Sequence, residues 1–278
     1  MSRSVPTRHG LLALALVVPS LLAAQPDGPG RVEHNAFTWD GRVPAGRWLY
    51  VKNLSGPIHV ESASGDQVVI TADRTTRGDA NPQDVRFVAQ KADDGQGMVI
   101  CALWGANTTC DERGYHGERH SGDWDGNHRD GWVSVEFTVR VPRGVKLDLA
   151  TVNGGLDVRG ATADVVANTV NGSVRAETGG GPVSARTVNG SVWARMLNTG
   201  DARDLEFTTV NGSVTVEMPA TLGAEVELST VNGRVGTEFP VTISGRIDPR
   251  RLRATIGDGS RHVRLRTVNG SVDLRRAS

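Results

Sequence analysis

Thr151-Val152-Asn153-Gly154 is the first of six copies of one tetrapeptide; the others begin at Thr169, Thr187, Thr209, Thr230 and Thr267. The first three copies start 18 residues apart, the next intervals are 22 and 21, and the last is 37. A fixed motif at a near-fixed period marks a repeat architecture, in which each unit is too small to bury its own apolar face. Working outward from each Thr, the residues four before, two before, one after and five after are apolar in every copy. They read Leu147, Leu149, Val152 and Leu156 in the first copy, Val183, Ala185, Val188 and Val192 in the third, and Val263, Leu265, Val268 and Val272 in the last. Polar residues such as Arg186, Glu206, Glu227, Arg264 and Arg266 stand between them. Alternation of period two means short strands with one buried face, and the fold class is all-β.

The alternation breaks at the motif. The inward series would continue to Thr, yet the next apolar residue is the adjacent Val, so Val is expected inside and the Asn-Gly is expected to turn a corner. An antiparallel meander could use such a corner, because Asn-Gly between alternating runs is a hairpin signal. A meander does not require Thr-Val before each turn, whereas stacked coils reward identity, since Asn above Asn can exchange amide hydrogen bonds. The favoured architecture is therefore an elongated β-solenoid (β-helix) with rungs of about 18–22 residues. Asn153, Asn171, Asn189, Asn211, Asn232 and Asn269 would form its structural ladder. A decayed copy, Asn53-Leu54-Ser55-Gly56, carries Leu49, Val51, Leu54 and Ile58 at the four apolar positions. The organisation expected is a signal peptide over 1–24, a flexible lead-in over 25–36, an N-terminal β region and strand-rich cap over 37–144, and the repeat solenoid over 145–278.

The signal peptide is read from Arg3, Arg8 and His9, an apolar run from Leu11 to Leu22, and Ala23-Ala24 before Gln25. That run is too short to cross a membrane as a helix. Export to the periplasm, the cell surface or the medium is expected, with no transmembrane segment in the mature chain. The net charge is zero, and Lys52, Lys91 and Lys146 are the only lysines, a balance that argues against a dedicated nucleic-acid binder. Cys101 and Cys110, the only cysteines, are read as one disulfide in an oxidising compartment.

Residues 111–131 form a charged, Gly-rich excursion that gathers His116, His120, Asp123, Asp125, Asn127, His128 and Asp130. Asp123-Trp-Asp125-Gly-Asn127 echoes the start of a calcium loop, but His128 replaces the sixth-position Gly and the distal Glu is missing, so a solvated loop is favoured and no metal or cofactor is assigned. No nucleophile elbow, phosphate loop or His-Glu-x-x-His is present. Glu225 and Glu227 fall on the outer face of one strand, and no catalytic residue is assigned. From residue 240 onward nine arginines face three acids, Asp248, Asp258 and Asp273, and Arg250, Arg251 and Arg253 are a candidate patch for an anionic ligand. Asn-Gly-Ser at Asn171, Asn189, Asn211 and Asn269 matches a glycosylation acceptor, as do Asn53 and Asn107, but stacking is expected to hide the corner asparagines.

With these Asn-Gly-Ser-Val repeats, the signal-like N-terminus, the two-Cys segment and Val141-Pro-Arg-Gly-Val145, the chain resembles the bacterial "putative adhesin" family over most of 37–278. That family comprises β-strand-repeat proteins of unknown function. The resemblance implies a β-solenoid on an exported or surface-associated protein and supplies no catalytic or binding residues. The function expected is a non-enzymatic adhesin, scaffold or binding module that meets a cell-surface glycan or envelope component. The alternatives are a carbohydrate-active β-helix enzyme and a protein binding ice or crystals through a repeated Thr-x-Asn surface.

Overall fold

The computed structural model describes residues 31–33, 36–117, 131–201, 204–243 and 248–277. The signal-like segment and residues 118–130 of the charged excursion lie outside the described residues. The N-terminal region contains β1 (Arg31–Glu33), β2 (Ala36–Gly41), β3 (Trp48–Lys52), β4 (Ile58–Ser62), β5 (Val68–Arg77), β6 (Val85–Lys91), β7 (Met98–Trp104), β8 (Thr109–Asp111), β9 (Gly114–His116) and β10 (Trp132–Val141). Because β1 pairs with β2, the end of the segment expected as a flexible lead-in is strand.

Each repeat copy places one strand before its corner and one after it. The pairs are β11 (Lys146–Ala150) with β12 (Leu156–Ala161), β13 (Val165–Asn168) with β14 (Val174–Thr178), and β15 (Val183–Arg186) with β16 (Val192–Met196). Then come β17 (Asp204–Thr208) with β18 (Val214–Met218), and β19 (Ala224–Ser229) with β20 (Val235–Thr237). The last stretch holds β21 (Thr242–Ile243), β22 (Arg251–Ile256), and the final pair β23 (His262–Arg266) with β24 (Val272–Arg276).

Strands that follow a corner join one eleven-stranded sheet and strands that precede it join a second, so the chain winds as a two-sheet stack. Pairing between equivalent strands of neighbouring copies is parallel and in register, as in Leu147↔Val165↔Val183 and Leu156↔Val174↔Val192. Like residues therefore lie over like, and the inward columns fuse into one core running from Phe37 to Leu274. Each fully buried Val contributes about 1.5–3 kcal/mol relative to exposure, and small side chains such as Ala167, Ala176, Ala185 and Ala194 let the two sheets approach closely.

The stacking order departs from chain order at one place. The final pair inserts between the fourth and fifth copies: β23 lies between β17 and β19, and β24 between β18 and β20. The 37-residue interval that permits this is not a loop, because β22 runs antiparallel along β19 and β21 pairs with β22. At the other end, β7 and β10 add a coil outside the decayed copy, parallel to β3 and β4. Antiparallel β6, β5 and β2 then close it over the stacked rings of Phe37 and Phe87, whose centroids are 4.6 Å apart.

Candidate functional site

The corner reverses one expectation. The six motif threonines are buried, while Val170, Val188, Val210, Val231 and Val268 are exposed by 38–55%. The inward series thus continues to Thr, and Val points outward. Burial of the hydroxyl is compensated by a hydrogen bond to the Gly carbonyl of the neighbouring corner: Thr169 Oγ1 donates to Gly154 O at 2.8 Å, Thr187 to Gly172 at 2.8 Å, Thr209 to Gly190 at 2.7 Å and Thr267 to Gly212 at 2.7 Å. A buried polar group needs such a partner, and Val at that position would have none. Motif Gly is required less by its dihedral than by close approach: a Cβ on Gly172 would lie 2.0 Å from Gly154 O, and one on Gly212 2.1 Å from Gly190 O.

The asparagines stand outside, not hidden as expected. Their amides are engaged with one another: Asn171 Nδ2 donates to Asn153 Oδ1, Asn189 to Asn171, Asn211 to Asn189, Asn269 to Asn211 and Asn232 to Asn269, each at 2.8 Å. A serine ladder runs beside them, with the N–H of Ser191, Ser213 and Ser271 donating to Ser173, Ser191 and Ser213 Oγ. Since Thr faces inward, this edge offers no Thr-x-Asn surface to ice or crystals. Asn53 is buried, donating to Gly56 O and Val135 O, which removes it from any surface role.

The outward side chains of the second sheet form a grid. One row across the strands reads Arg253, Glu227, Arg264, Glu206; the next, toward the corners, reads Arg251, Ser229, Arg266, Thr208, Arg186, Asn168. Glu227, 16% exposed, is surrounded by four arginines: Arg251 Nη2 at 3.0 Å, Arg253 Nη2 at 3.3 Å, Arg264 Nε at 3.3 Å and Arg266 Nη2 at 3.4 Å. Burial alone would raise the Glu227 pKa, but hydrogen bonds from Arg253 and Arg251 and the nearby charge of Arg266 outweigh it and hold the carboxyl below its ordinary value. Arg186 pairs with Glu206. An open groove of about 1170 Å³ crosses this face from Val166 to Thr242, with Arg186, Arg253 and Arg264 in its lining and Asp204 and Glu225 on the side away from the corners.

Of the three arginines singled out from the sequence, Arg251 and Arg253 share this face. Arg250 sits in the preceding turn, exposed, with its N–H on Asp248 Oδ1 at 2.8 Å. Arg264 and Arg266 complete the cluster and are not legible as part of it in the sequence, because they meet it only when the final copy inserts between its predecessors; Arg186 joins from β15 through its pairing with Thr208. A sequence signal for that insertion exists: Ser follows Asn-Gly in the second, third, fourth and sixth copies, while Gly155 and Arg234 replace it in the first and fifth. Those four copies are contiguous in the stack, and the two exceptions flank them.

At the other end the same face is covered. Cys101 and Cys110 are disulfide-bonded, and the β8–β9 hairpin packs Cys110 and Tyr115 with Val99, Leu103 and Tyr50 in a second small core. Lys52 is buried at its edge, donating to Asp148 Oδ1 at 2.8 Å. Of the metal-capable side chains in the excursion, His116 lies 2.9 Å from Asp111 Oδ1, and the rest, from His120 to Asp130, lie outside the described residues.

The fold is shared with a solved structure. A "putative cell adhesion protein" from Clostridium sporogenes ATCC 15579 superposes with a TM-score of 0.50 at 10% identity, over 90% of this chain and all of that one. A "putative adhesin" from Bacteroides fragilis NCTC 9343 gives a TM-score of 0.35 at 10% identity, over 88% of this chain and 98% of that one. No curated protein matches in sequence. The family model described as Toastrack DUF4097 matches residues 42–275, and the chain belongs to that family, whose function is unknown.

Proposed function

We propose that this protein is a non-enzymatic, exported binding module that holds a surface glycan or another envelope component, in the periplasm or at the cell surface. The observation that carries this reading is the groove on the outer face of the second sheet, a concave, charged surface on a rigid stack of in-register strands. The adhesion role named for the Clostridium sporogenes protein of similar fold agrees with it. Export is supported by the basic and apolar pattern of the first 24 residues and by the Cys101–Cys110 disulfide, a bond that persists in oxidising compartments.

Glu227, the carboxylate enclosed by the arginines, is unsuited to be the acid of a polysaccharide-cleaving site. A glycosidase needs one carboxylic acid with a raised pKa to protonate the leaving group. Glu227 is driven the opposite way by its arginines. The test is titration of the chain with envelope fractions and purified polysaccharides, followed by chain-length analysis of each polysaccharide. Saturable binding with chain length unchanged is the expected result; the appearance of shortened products would make the protein an enzyme.

A further inference from the structure

We propose that the corner-side strip of this face, centred on Arg251, Arg266 and Arg186, binds a linear acidic polysaccharide lying across the strands. The assignment rests on the binding reading above and names its ligand class. In the two rows nearest the corners, five arginines face two glutamates, an excess of three positive charges. In the strip itself Arg251, Arg266 and Arg186 alternate with Ser229 and Thr208, so their backbone positions recur at every second strand, roughly 9–10 Å apart at about 4.8 Å per strand, while the Arg251 and Arg266 guanidiniums converge on Glu227 at 3.0 and 3.4 Å. The hydroxyls of Ser229 and Thr208 between the arginines suit uncharged parts of the sugar ring.

Two residues on from this strip runs the exposed row Val231, Val268, Val210, Val188 and Val170. Apolar side chains beside guanidinium groups match the two surfaces of an acidic sugar, its C–H face and its carboxylate or sulfate. In the adjacent row Glu227, between Arg253 and Arg264, and Glu206, beside Arg264, accept hydrogen bonds from sugar hydroxyls.

Other polyanions fit less well. Nucleic acid carries a phosphate about every 3.4 Å per strand, and single strands are held by aromatic stacking. This strip contains no ring on which a base could stack. A plane of anionic headgroups would press phosphates onto Glu227 and Glu206. The outer face of the first sheet lacks the excess: there Arg195 lies between Glu177 and Glu217 at 3.9 and 3.7 Å, and Arg175 stacks on Trp193.

The experiment titrates the chain with polygalacturonate (carboxylated) and heparin (sulfated), with dextran, oligo-dT and phosphatidylserine vesicles as comparisons. Either acidic polysaccharide should bind, dextran should not, and the affinity should fall with salt. Arg266→Ser and Arg186→Ser should each weaken binding about tenfold, the loss expected of one charge-assisted hydrogen bond, while Arg175→Ser leaves it unchanged. Glu227→Gln should bind at least as tightly as the parent, because it removes the anion that competes for the arginines. Unchanged affinity of a folded Arg266→Ser or Arg186→Ser protein would overturn the proposal. So would equally tight, arginine-dependent binding of oligo-dT or vesicles. If envelope fractions bind and both acidic polysaccharides do not, the ligand class is wrong and the general binding reading stands; if nothing binds, both fall.

Discussion

Thr209 and Val210 are adjacent, β-branched and nearly equal in volume, yet the first is buried and the second 39% exposed. The difference lies in one hydroxyl, which closes a 2.7 Å hydrogen bond to Gly190 O on the neighbouring coil. Thr209→Val should cost about 1–3 kcal/mol, since it leaves a buried carbonyl without its donor. Thr209→Ser, which keeps the bond, should cost less, and Val210→Ser should stay within about 0.5 kcal/mol. Urea denaturation of the three variants checks the order; a larger loss at Val210 than in Thr209→Val would show that the corner faces the other way. Sequence periodicity places Asn and Gly at the corner but assigns Val to the interior, because hydropathy alone ranks Val above Thr. The inward position selects Thr for a bond to another coil, which a window along one chain does not contain.

The strands themselves are legible in the residues, since alternation over β10, with Val133, Val135, Phe137, Val139 and Val141 inward, and over the six flanking pairs leaves little choice. The partner of each strand is less legible. Glu227 on β19 reads as one of two outward carboxylates, and its neighbours Arg253 and Arg264 come from strands 26 and 37 residues away. The packing of β22, β19 and β23 gives that carboxylate a pH signature. Its folded pKa lies below the ordinary glutamate value, so the stabilisation it brings is present above that value and is lost as pH falls through the folded pKa. The melting temperature of the parent should therefore drop more steeply than that of Glu227→Gln from about pH 5 downward. Parallel curves for the two proteins would mean that the arginines do not hold Glu227 in this way.

For the whole molecule, identical corners create an ambiguity that only the stack resolves. Every copy presents the same Thr, Asn and Gly edge, so any copy could follow any other; the long interval after the fifth permits the last to enter the stack ahead of it. Arg234 in place of the corner Ser fits an end position, because among the described residues no further coil stacks on the fifth copy with an N–H that would need that hydroxyl. The insertion places the final coil in the interior, brings Arg264 and Arg266 between Arg251 and Arg253 on one side and Arg186 on the other, and so completes the basic strip. Paired cysteines test this order most directly. Adjacent ladder positions lie about 4.8 Å apart, within disulfide reach, while positions two coils apart lie about 9.6 Å apart and beyond it. Under mild oxidation, mapped by peptide mass spectrometry, Asn211→Cys with Asn269→Cys should cross-link, as should Asn269→Cys with Asn232→Cys, and Asn211→Cys with Asn232→Cys should not. A cross-link between positions 211 and 232, with none between 211 and 269, would contradict the inserted coil and the binding face built on it.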